Sequence, residues 1–333
     1  MSSFPLGERG PSGMPALLRP PAIVIVTALL FGLAALTVPR FGTLGNVENV
    51  LRIAAILGIV ACGQAIVVIL GGIEFSFGAS AALASVVIVM ALPATGVVGA
   101  FLLGGLLIVA IGMVNGLLVA RFAVPPVIQT LGMLMIASGL AAWLAGGLPI
   151  DAPPSDAFSF PARGRLLGVP VPILCAAAAF AILHVLLAKT RLGRGWYLAG
   201  ANAAAARLAG LSVPRLVFSG YAVAGLFCAL GAVILTSRLA SGQPMLAPNL
   251  PFETIAACAV GGLPLGGGRG NVPMVACGVL IVAMLNNIVV LLNLPTAYQL
   301  ILLGTLVLTA VLLQRDWAFL GQAVRVLTAR RRG

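Results

Sequence analysis

Long apolar runs are the feature of this sequence that most limits what it can fold into. Hydrophobic residues fill 61% of the 333 positions and charged residues only 8%, whereas soluble domains carry about 25% charged residues. A helix needs roughly 20 mostly apolar residues to cross the hydrocarbon core of a bilayer. The sequence therefore predicts an all-α polytopic membrane protein and excludes a soluble fold.

Ten runs in the chain are candidates for transmembrane helices. We predict them at residues 21–38, 51–70, 79–95, 97–119, 126–145, 171–188, 216–237, 252–265, 273–292 and 297–314. The third and eighth give the weakest signals, and the eighth is short and runs into glycine-rich sequence. The transmembrane domain then covers residues 20–315. We expect residues 1–19 to be a disordered N-terminus and the basic tail at 316–333 to lie along the inner leaflet.

The positive charges predict the orientation of these helices. The chain has 19 Lys and Arg against 7 Asp and Glu, and the basic residues lie in loops and tails between apolar runs. This distribution indicates topology and contact with anionic lipid rather than nucleic-acid binding. Ten helices with both termini in the cytoplasm place most of the basic residues there, in agreement with the positive-inside rule. The largest outer loop, at 146–170, is either a plain connector or part of a platform for an external partner.

The longest well-charged segment inside the apolar sequence, residues 189–215, predicts a short helix on the cytoplasmic side. Asn202 is a suitable N-cap, residues 203–209 are mostly strong helix formers, and Gly210 suits the left-handed position after a helix. Such a helix has about two turns and is marginal on its own in water. It is either packed on the surface of its own protein or a docking helix for a partner.

Two glycine-rich segments, 71–78 and 261–270, interrupt the apolar runs. Irregular backbone near membrane depth is tolerated only where protein buries it or where it lines a wet cavity, and broken helices commonly mark transport pathways. Tight helix packing or an interfacial turn is the other interpretation. The residues of these segments that we assign to the translocation path or its gate are Gly71, Gly72, Glu74, Ser76, Gly78, Gly261, Gly262, Gly268, Arg269 and Gly270.

Polar side chains within apolar runs extend this candidate path. Asn115, Asn286 and Asn287 could bond the hydroxyl groups of a passing solute or join helices to one another. Glu74 and Glu253 are the acids nearest to apolar sequence. An acid at membrane depth is a functional candidate, although both lie near the ends of predicted helices and could reach interfacial water.

Several enzyme motifs are absent from the sequence. A phosphate-binding loop needs lysine directly after glycine, but the only lysine, Lys189, follows Ala188. No H-E-x-x-H motif or nucleophile elbow occurs, and the five cysteines have no metal-ligand spacing. We therefore expect no catalytic residues, metal or cofactor in this chain, and if ATP drives transport another subunit must hydrolyse it.

Seven segments match one family of permeases in order. They are GGIEFSFGAS at 71–80, the Asn-Gly pair at 115–116, PPVIQTLGM at 125–133, ANAAAARLAGL at 201–211, ILTSRLASGQP at 234–244, AVGGLPLGGGRGN at 259–271 and LNNIVVLLNLPTAYQ at 285–299. Together they resemble the membrane permease of bacterial ribose-type sugar ABC importers, within the branched-chain amino acid/ribose permease superfamily. The likeness covers roughly residues 45–315.

The resemblance implies a multi-pass protein of the bacterial inner membrane that works by alternating access. Two permease subunits, as a homodimer or a heterodimer, would form the pore. Two ATPase subunits, which bind the ATP and Mg²⁺, would dock in the cytoplasm, and a periplasmic solute-binding protein would deliver the sugar. The coupling helix that contacts the ATPase would include Asn202, Ala205, Arg207, Leu208 and Gly210. Affinity can reside in the binding protein, so we expect no tight sugar site in the permease.

The chain also departs from the family pattern. Ala203 follows Asn202 where the family often has an acid, and Glu74 replaces the usual aspartate. The GGIEF and GGGRG segments favour a pentose, a hexose or a polyol as the solute. Two alternatives stay open: a permease of a related importer for branched-chain amino acids or nucleosides, and an ion-coupled secondary transporter that uses Glu74 or Glu253.

Overall fold

The structure, a computed structural model, describes residues 20–314, with side chains from 22 to 312, and is almost entirely helical. The predicted N-terminus at 1–19 and the tail at 316–333 lie outside the described residues. The helices are α1 (Pro20–Thr37), α2 (Leu44–Ile69), α3 (Phe77–Phe122), α4 (Pro126–Leu144), α5 (Asp156–Arg163), α6 (Val171–Lys189), α7 (Arg191–Ala201), α8 (Ala203–Leu208), α9 (Val213–Leu239), α10 (Leu250–Val260), α11 (Val272–Leu291) and α12 (Thr296–Gln314).

Helix α2 is the centre of the bundle. Every residue from Ala54 to Ile69 is buried, and α6, α9, α10 and α11 pack around the helix. A helix that is apolar on all sides is stable only when other helices cover all of it. Its 26 residues extend about 39 Å at 1.5 Å per residue, so its Leu44 end and its Ile69 end define the two ends of the molecule.

Helix α3 is a hairpin rather than one straight rod. Its 46 residues would reach about 69 Å, more than twice the thickness of the hydrocarbon core. The backbone leaves helical geometry at Gly96, where φ is 69°. A Cβ on Gly104 would lie 2.3 Å from Cγ1 of Ile88, so the arms 77–95 and 97–122 fold back against each other. The break falls between the predicted helices at 79–95 and 97–119.

The other predicted helices also coincide with helices of the structure. By length and composition, six helices within residues 20–314 can cross a membrane, namely α2, α3, α4, α6, α9 and α11. The apolar helices α1, α10 and α12 are shorter. These features establish an all-α membrane protein, and the count of ten crossings and the placement of both termini stay predictions.

Helix α10 differs most from its predicted range of 252–265. It has 11 residues and ends at Val260, because Gly262 adopts a φ of 94° that ends the helical geometry. At about 16 Å it covers only half of a bilayer core. The chain before it is irregular and contains turns: Gly242 and Gln243 lie against Ser85, and Ala247 lies against Gly78. Residues 243–249 therefore descend along the first arm of α3 before α10 begins.

The predicted outer loop at 146–170 is folded at the Leu44 end of α2. It contains α5, the strand pair β2 (Arg165–Leu166) with β3 (Val169–Pro170), and β1 (Ile150–Asp151), which pairs with β4 (Ser241–Gly242). The hydroxyl group of Ser237 in α9 donates to the carbonyl of Phe158 at 2.6 Å. Glu48 of α2 forms ion pairs with Arg52 at 2.8 Å and with Arg165 at 2.6 Å. These contacts fix the loop to the bundle.

Candidate functional site

The predicted short helix at 203–209 is present as α8, one residue shorter. The Oδ1 atom of Asn202 accepts hydrogen bonds from the backbone N–H groups of Ala204 and Ala205, both at 3.0 Å. At the other end, Gly210 has a φ of 79°, and the N–H of Leu211 donates to the carbonyl of Ala206 at 3.0 Å. This is the left-handed helix end that glycine favours. Local sequence therefore sets both ends of α8.

Only one side of α8 is held by the protein. Ala206 is buried against neighbouring apolar residues, whereas Ala204, Ala205, Arg207 and Leu208 are exposed. Leu208 is 91% exposed, which leaves a large apolar side chain beside a cation on a two-turn helix. We call this surface, formed by Ala204, Ala205, Arg207 and Leu208, the α8 face. It has the composition of a docking surface, because leucine and arginine there are free to contact a second molecule.

Helix α7 connects α8 to the Ile69 end of α2. The backbone of Gly200 passes so close to α2 that a Cβ there would lie 1.9 Å from the carbonyl oxygen of Ile69 and 3.0 Å from the amide nitrogen of Gly268. The Tyr197 hydroxyl group donates to the carbonyl of Gly270 at 2.7 Å. Burial raises the pKa of Tyr197 above its ordinary value, so this hydroxyl group stays protonated and continues to donate.

The two glycine-rich segments predicted from the sequence meet at the same point. The amide of Gly268 donates to the carbonyl of Ile69 at 2.8 Å, and a Cβ on Gly267 would lie 2.8 Å from the Cα of Gly71. Gly267 and Gly268 could not make these contacts if they carried side chains, because an added Cβ would collide with neighbouring backbone. We call Gly71, Gly200, Gly267 and Gly268 the glycine junction, because three separate segments of backbone touch there.

From the glycine junction the chain turns back into the bundle and reaches a buried carboxylate. Glu74 is 1% exposed. Its Oε1 atom accepts from the amide of Ser76 at 2.7 Å and from the Ser76 hydroxyl group at 2.6 Å, and its Oε2 atom accepts from Asn115 at 3.0 Å. Gln129 of α4 then donates to Oδ1 of Asn115 at 3.1 Å. Sequence analysis predicted Glu74, Ser76 and Asn115, and the structure joins them in one hydrogen-bond network.

Further polar groups hold the backbone around Glu74. When the Gln64 amide is oriented to satisfy both of its contacts, it donates to the carbonyl of Glu74 at 3.1 Å and accepts from its N–H at 3.2 Å. Thr130 donates to the carbonyl of Ile73 at 3.2 Å. The non-helical segment 70–76 is thus paired with side chains of α2, α3 and α4, as irregular backbone inside a bilayer requires.

The remaining predicted site residues lie elsewhere. Asn286 donates to Oε1 of Glu253 at 3.0 Å, and Asn287 exchanges two hydrogen bonds of 3.0 Å with Asn46. Gly261 allows α10 and α11 to touch, because a Cβ there would lie 2.2 Å from the carbonyl oxygen of Met274. Arg269 is exposed near the glycine junction. The structure therefore divides the predicted path residues between the Glu74 network, the glycine junction and helix contacts of α11.

Sequence reasoning missed Gln64, Gln129 and Tyr197 and the irregular segment 243–249. The two glutamines had a usable signal, since each is an amide within an apolar run, like the asparagines that were chosen. Nothing local marked Tyr197, whose partner lies 73 positions further along the chain. Within residues 20–314, no group of three or more His, Cys, Asp or Glu is placed to hold a metal ion.

Comparison with known proteins shows which proteins this chain is similar to. Residues 46–311 match the family model described as the permease component of branched-chain amino acid transport systems. The ribose import permease protein of Bacillus subtilis is 40% identical over 81% of this chain and 84% of its own length. The L-arabinose ABC transporter permease protein of Azospirillum brasilense is 34% identical, over 91% and 90%. The ribose import permease protein of Escherichia coli K12 is 33% identical, over 87% and 91%. No solved structure gives a significant match.

Proposed function

Because the chain belongs to the family of permease components of branched-chain amino acid transport systems, we propose that it is the inner-membrane permease subunit of a bacterial ABC importer for sugars. The observation that carries the sugar assignment is the similarity, over most of both chains, to import permeases for ribose and arabinose. In this account the chain carries out no covalent chemistry. A separate ATPase subunit binds and hydrolyses ATP, a periplasmic protein delivers the sugar, and a second permease subunit completes the pore.

The α8 face is the surface that we assign to the ATPase partner. A helix of six residues is too short to be stable alone, and here the caps at both ends and the burial of Ala206 keep it folded. Its outward side chains serve no packing role within the described residues. Arg207 supplies a charge-assisted contact, and arginine is enriched among the residues that dominate binding energy. Leu208 supplies an apolar contact beside it.

Motion of α8 is transmitted through the glycine junction. Helices α8 and α7 are separated only by Asn202, so a shift of α8 is passed to α7 and then to Gly200. Since Gly200 touches both Ile69 and Gly268, the shift reaches α2 and the segment before α11 together. The hydrogen bond from Tyr197 to Gly270 gives α7 a second link to the segment before α11. Packed interfaces of this kind move between discrete arrangements rather than deforming continuously.

The Glu74 network anchors the other end of this pathway. It holds the start of the first arm of α3 against Asn115 of the second arm and Gln129 of α4. A fully satisfied polar network in a low-dielectric interior is rigid and fixes one arrangement of its helices. We therefore assign Glu74 to positioning α3 and α4 rather than to carrying an ion, which favours ATP over an ion gradient as the energy source.

Reversing the charge of the α8 face tests the docking assignment. We expect Arg207→Glu to weaken retention of the ATPase subunit by at least about tenfold, because interface arginines commonly contribute 2 kcal/mol or more. Leu208→Asp is expected to act in the same direction. The measurement is the amount of ATPase recovered with the tagged permease from native membranes.

Arg121→Glu is the matched control, since Arg121 is exposed in the last turn of α3 and lies outside α7 and α8. Normal membrane levels of each variant show that the protein is folded. Recovery of the ATPase at the wild-type level with both Arg207→Glu and Leu208→Asp would contradict the docking role of the α8 face.

A further inference from the structure

A cleft of about 260 Å³ lies between α2, the end of α9 and the start of α10. This is close to the lower end of the roughly 300–1,000 Å³ pockets that hold small molecules. Residues Ile53, Ile56 and Leu57 form its α2 wall. They are 9–13 positions from Leu44, or roughly 14–20 Å along α2, which places the cleft near the middle of the helix. Its other wall includes residues 246–249 of the irregular segment that precedes α10.

Two opposite charges line this cleft without pairing. Arg238 of α9 and Glu253 of α10 both contribute to its surface, but no ion pair joins them within the part of the chain that the structure describes. The Oε1 atom of Glu253 accepts from Asn286, which orients the carboxylate, whereas Oε2 has no hydrogen-bond partner among the described side chains. Asn249 adds an amide to the same lining.

The chemistry of this lining fits a neutral polyhydroxylated molecule. Sugar hydroxyl groups can donate to Oε2 of Glu253, accept from the guanidinium of Arg238 and do both with the Asn249 amide. The apolar side chains of Ile56 and Leu57 can cover the C–H face of a sugar ring. An anion would be repelled by Glu253 and a cation by Arg238, so neither is favoured.

We propose that the cleft lined by Arg238, Asn249 and Glu253 is a low-affinity monosaccharide site on the translocation path. The assignment rests on the proposed sugar import function. It agrees with the general placement of transport sites near the midplane at interrupted helices, since α10 begins inside the bundle after a non-helical segment. A zwitterionic amino acid could also bridge the two charges, and the similarity to ribose and arabinose permeases decides in favour of a sugar.

Protection of a cysteine in the cleft tests the site directly. The full chain carries Ile53→Cys with Cys175→Ser, because Cys175 is the one native cysteine that is not buried. In nanodiscs, D-ribose or L-arabinose at millimolar concentration is expected to slow modification of this cysteine by a small hydrophilic thiol reagent. Glu253→Gln and Arg238→Gln are each expected to raise the half-protecting sugar concentration by about tenfold, the loss typical of one hydrogen bond to a charged group.

Three controls separate the outcomes. Leu167→Cys, fully exposed in the outer loop, should react at one rate with and without sugar, and Arg163→Gln and Asp151→Asn should leave protection unchanged. Uptake of labelled sugar by native cells that carry each variant is measured in parallel.

Uptake without any protection of Ile53→Cys would overturn the site while leaving the import function intact, and so would protection that survives both cleft substitutions. Protection by L-leucine but not by sugars, with leucine uptake in place of sugar uptake, would overturn the site and the proposed function together.

Discussion

Glu74→Ala is expected to destabilise the protein by at least about 2 kcal/mol and to abolish sugar uptake. The substitution leaves the Ser76 amide and the Ser76 hydroxyl group without their buried acceptor, and each unsatisfied buried group costs about 1–3 kcal/mol. Asn115 loses one of its two acceptors, because its Nδ2 atom also donates to the Ser76 hydroxyl oxygen at 3.1 Å. Thermal unfolding of the purified permease and uptake by native cells measure the two effects.

Two further variants test whether the lost hydrogen bonds of Glu74 cause the loss of stability and of uptake. Glu74→Gln preserves the size of the side chain and can still accept from Ser76, but its amide nitrogen faces the donor of Asn115, so we expect an intermediate loss of stability. Glu48→Ala removes an exposed acid that pairs with Arg52 and Arg165, and exposed ion pairs contribute little. Glu74→Ala with wild-type stability and uptake would show that the network does not hold α3 and α4.

Gly200→Ala is expected to uncouple ATP hydrolysis from transport. The new Cβ would lie 1.9 Å from the carbonyl oxygen of Ile69, so α7 must move away from α2 by more than 1 Å to restore ordinary contact. Overpacking of this kind costs about 1–3 kcal/mol. The exposed side of α8 is unchanged, however, so the ATPase should still bind while uptake falls by about tenfold or more, the factor to which about 1.4 kcal/mol corresponds.

Gly132→Ala is the matched control, because an added Cβ on that α4 residue has no heavy atom within 4 Å. The measurements are ATPase recovery, ATP hydrolysis and sugar uptake of the same membranes. If Gly200→Ala transports sugar as fast as Gly132→Ala, force does not pass through the glycine junction. If Gly200→Ala loses the ATPase as well, the junction holds α8 in place for docking rather than transmitting its motion.

Features encoded in neighbouring residues were predictable from the sequence. The cap at Asn202 and the helix end at Gly210 depend on a few adjacent positions, and both appear in α8 as expected. The glycine-rich segments 71–78 and 261–270 were recognised as irregular backbone because Gly-Gly ends an apolar run. The apolar runs themselves locate the helices, since a long hydrophobic segment has few other stable conformations in a bilayer.

Features that depend on distant partners were not predictable. Helix α7 contains Gly193, Gly195 and Gly200, which lower helix propensity, and only the structure shows that Gly193 and Gly200 permit close contact with backbone carbonyls. Gln64 and Gln129 became site residues because they meet Glu74 and Asn115 across the bundle. The irregular segment 243–249 comes after α9, where the sequence predicts a simple outer loop. Its path along α3 depends on tertiary contacts.

The measurement that tests the central claim most directly is uptake of labelled D-ribose and L-arabinose by native cells with the chain deleted and restored, while ATP and the proton gradient are controlled separately. We predict that uptake requires the chain, continues when an uncoupler collapses the gradient with ATP maintained, and stops when ATP is depleted with the gradient maintained. Chain-dependent uptake that stops with the uncoupler while ATP stays high would contradict ATP-driven import and would make the chain an ion-coupled transporter.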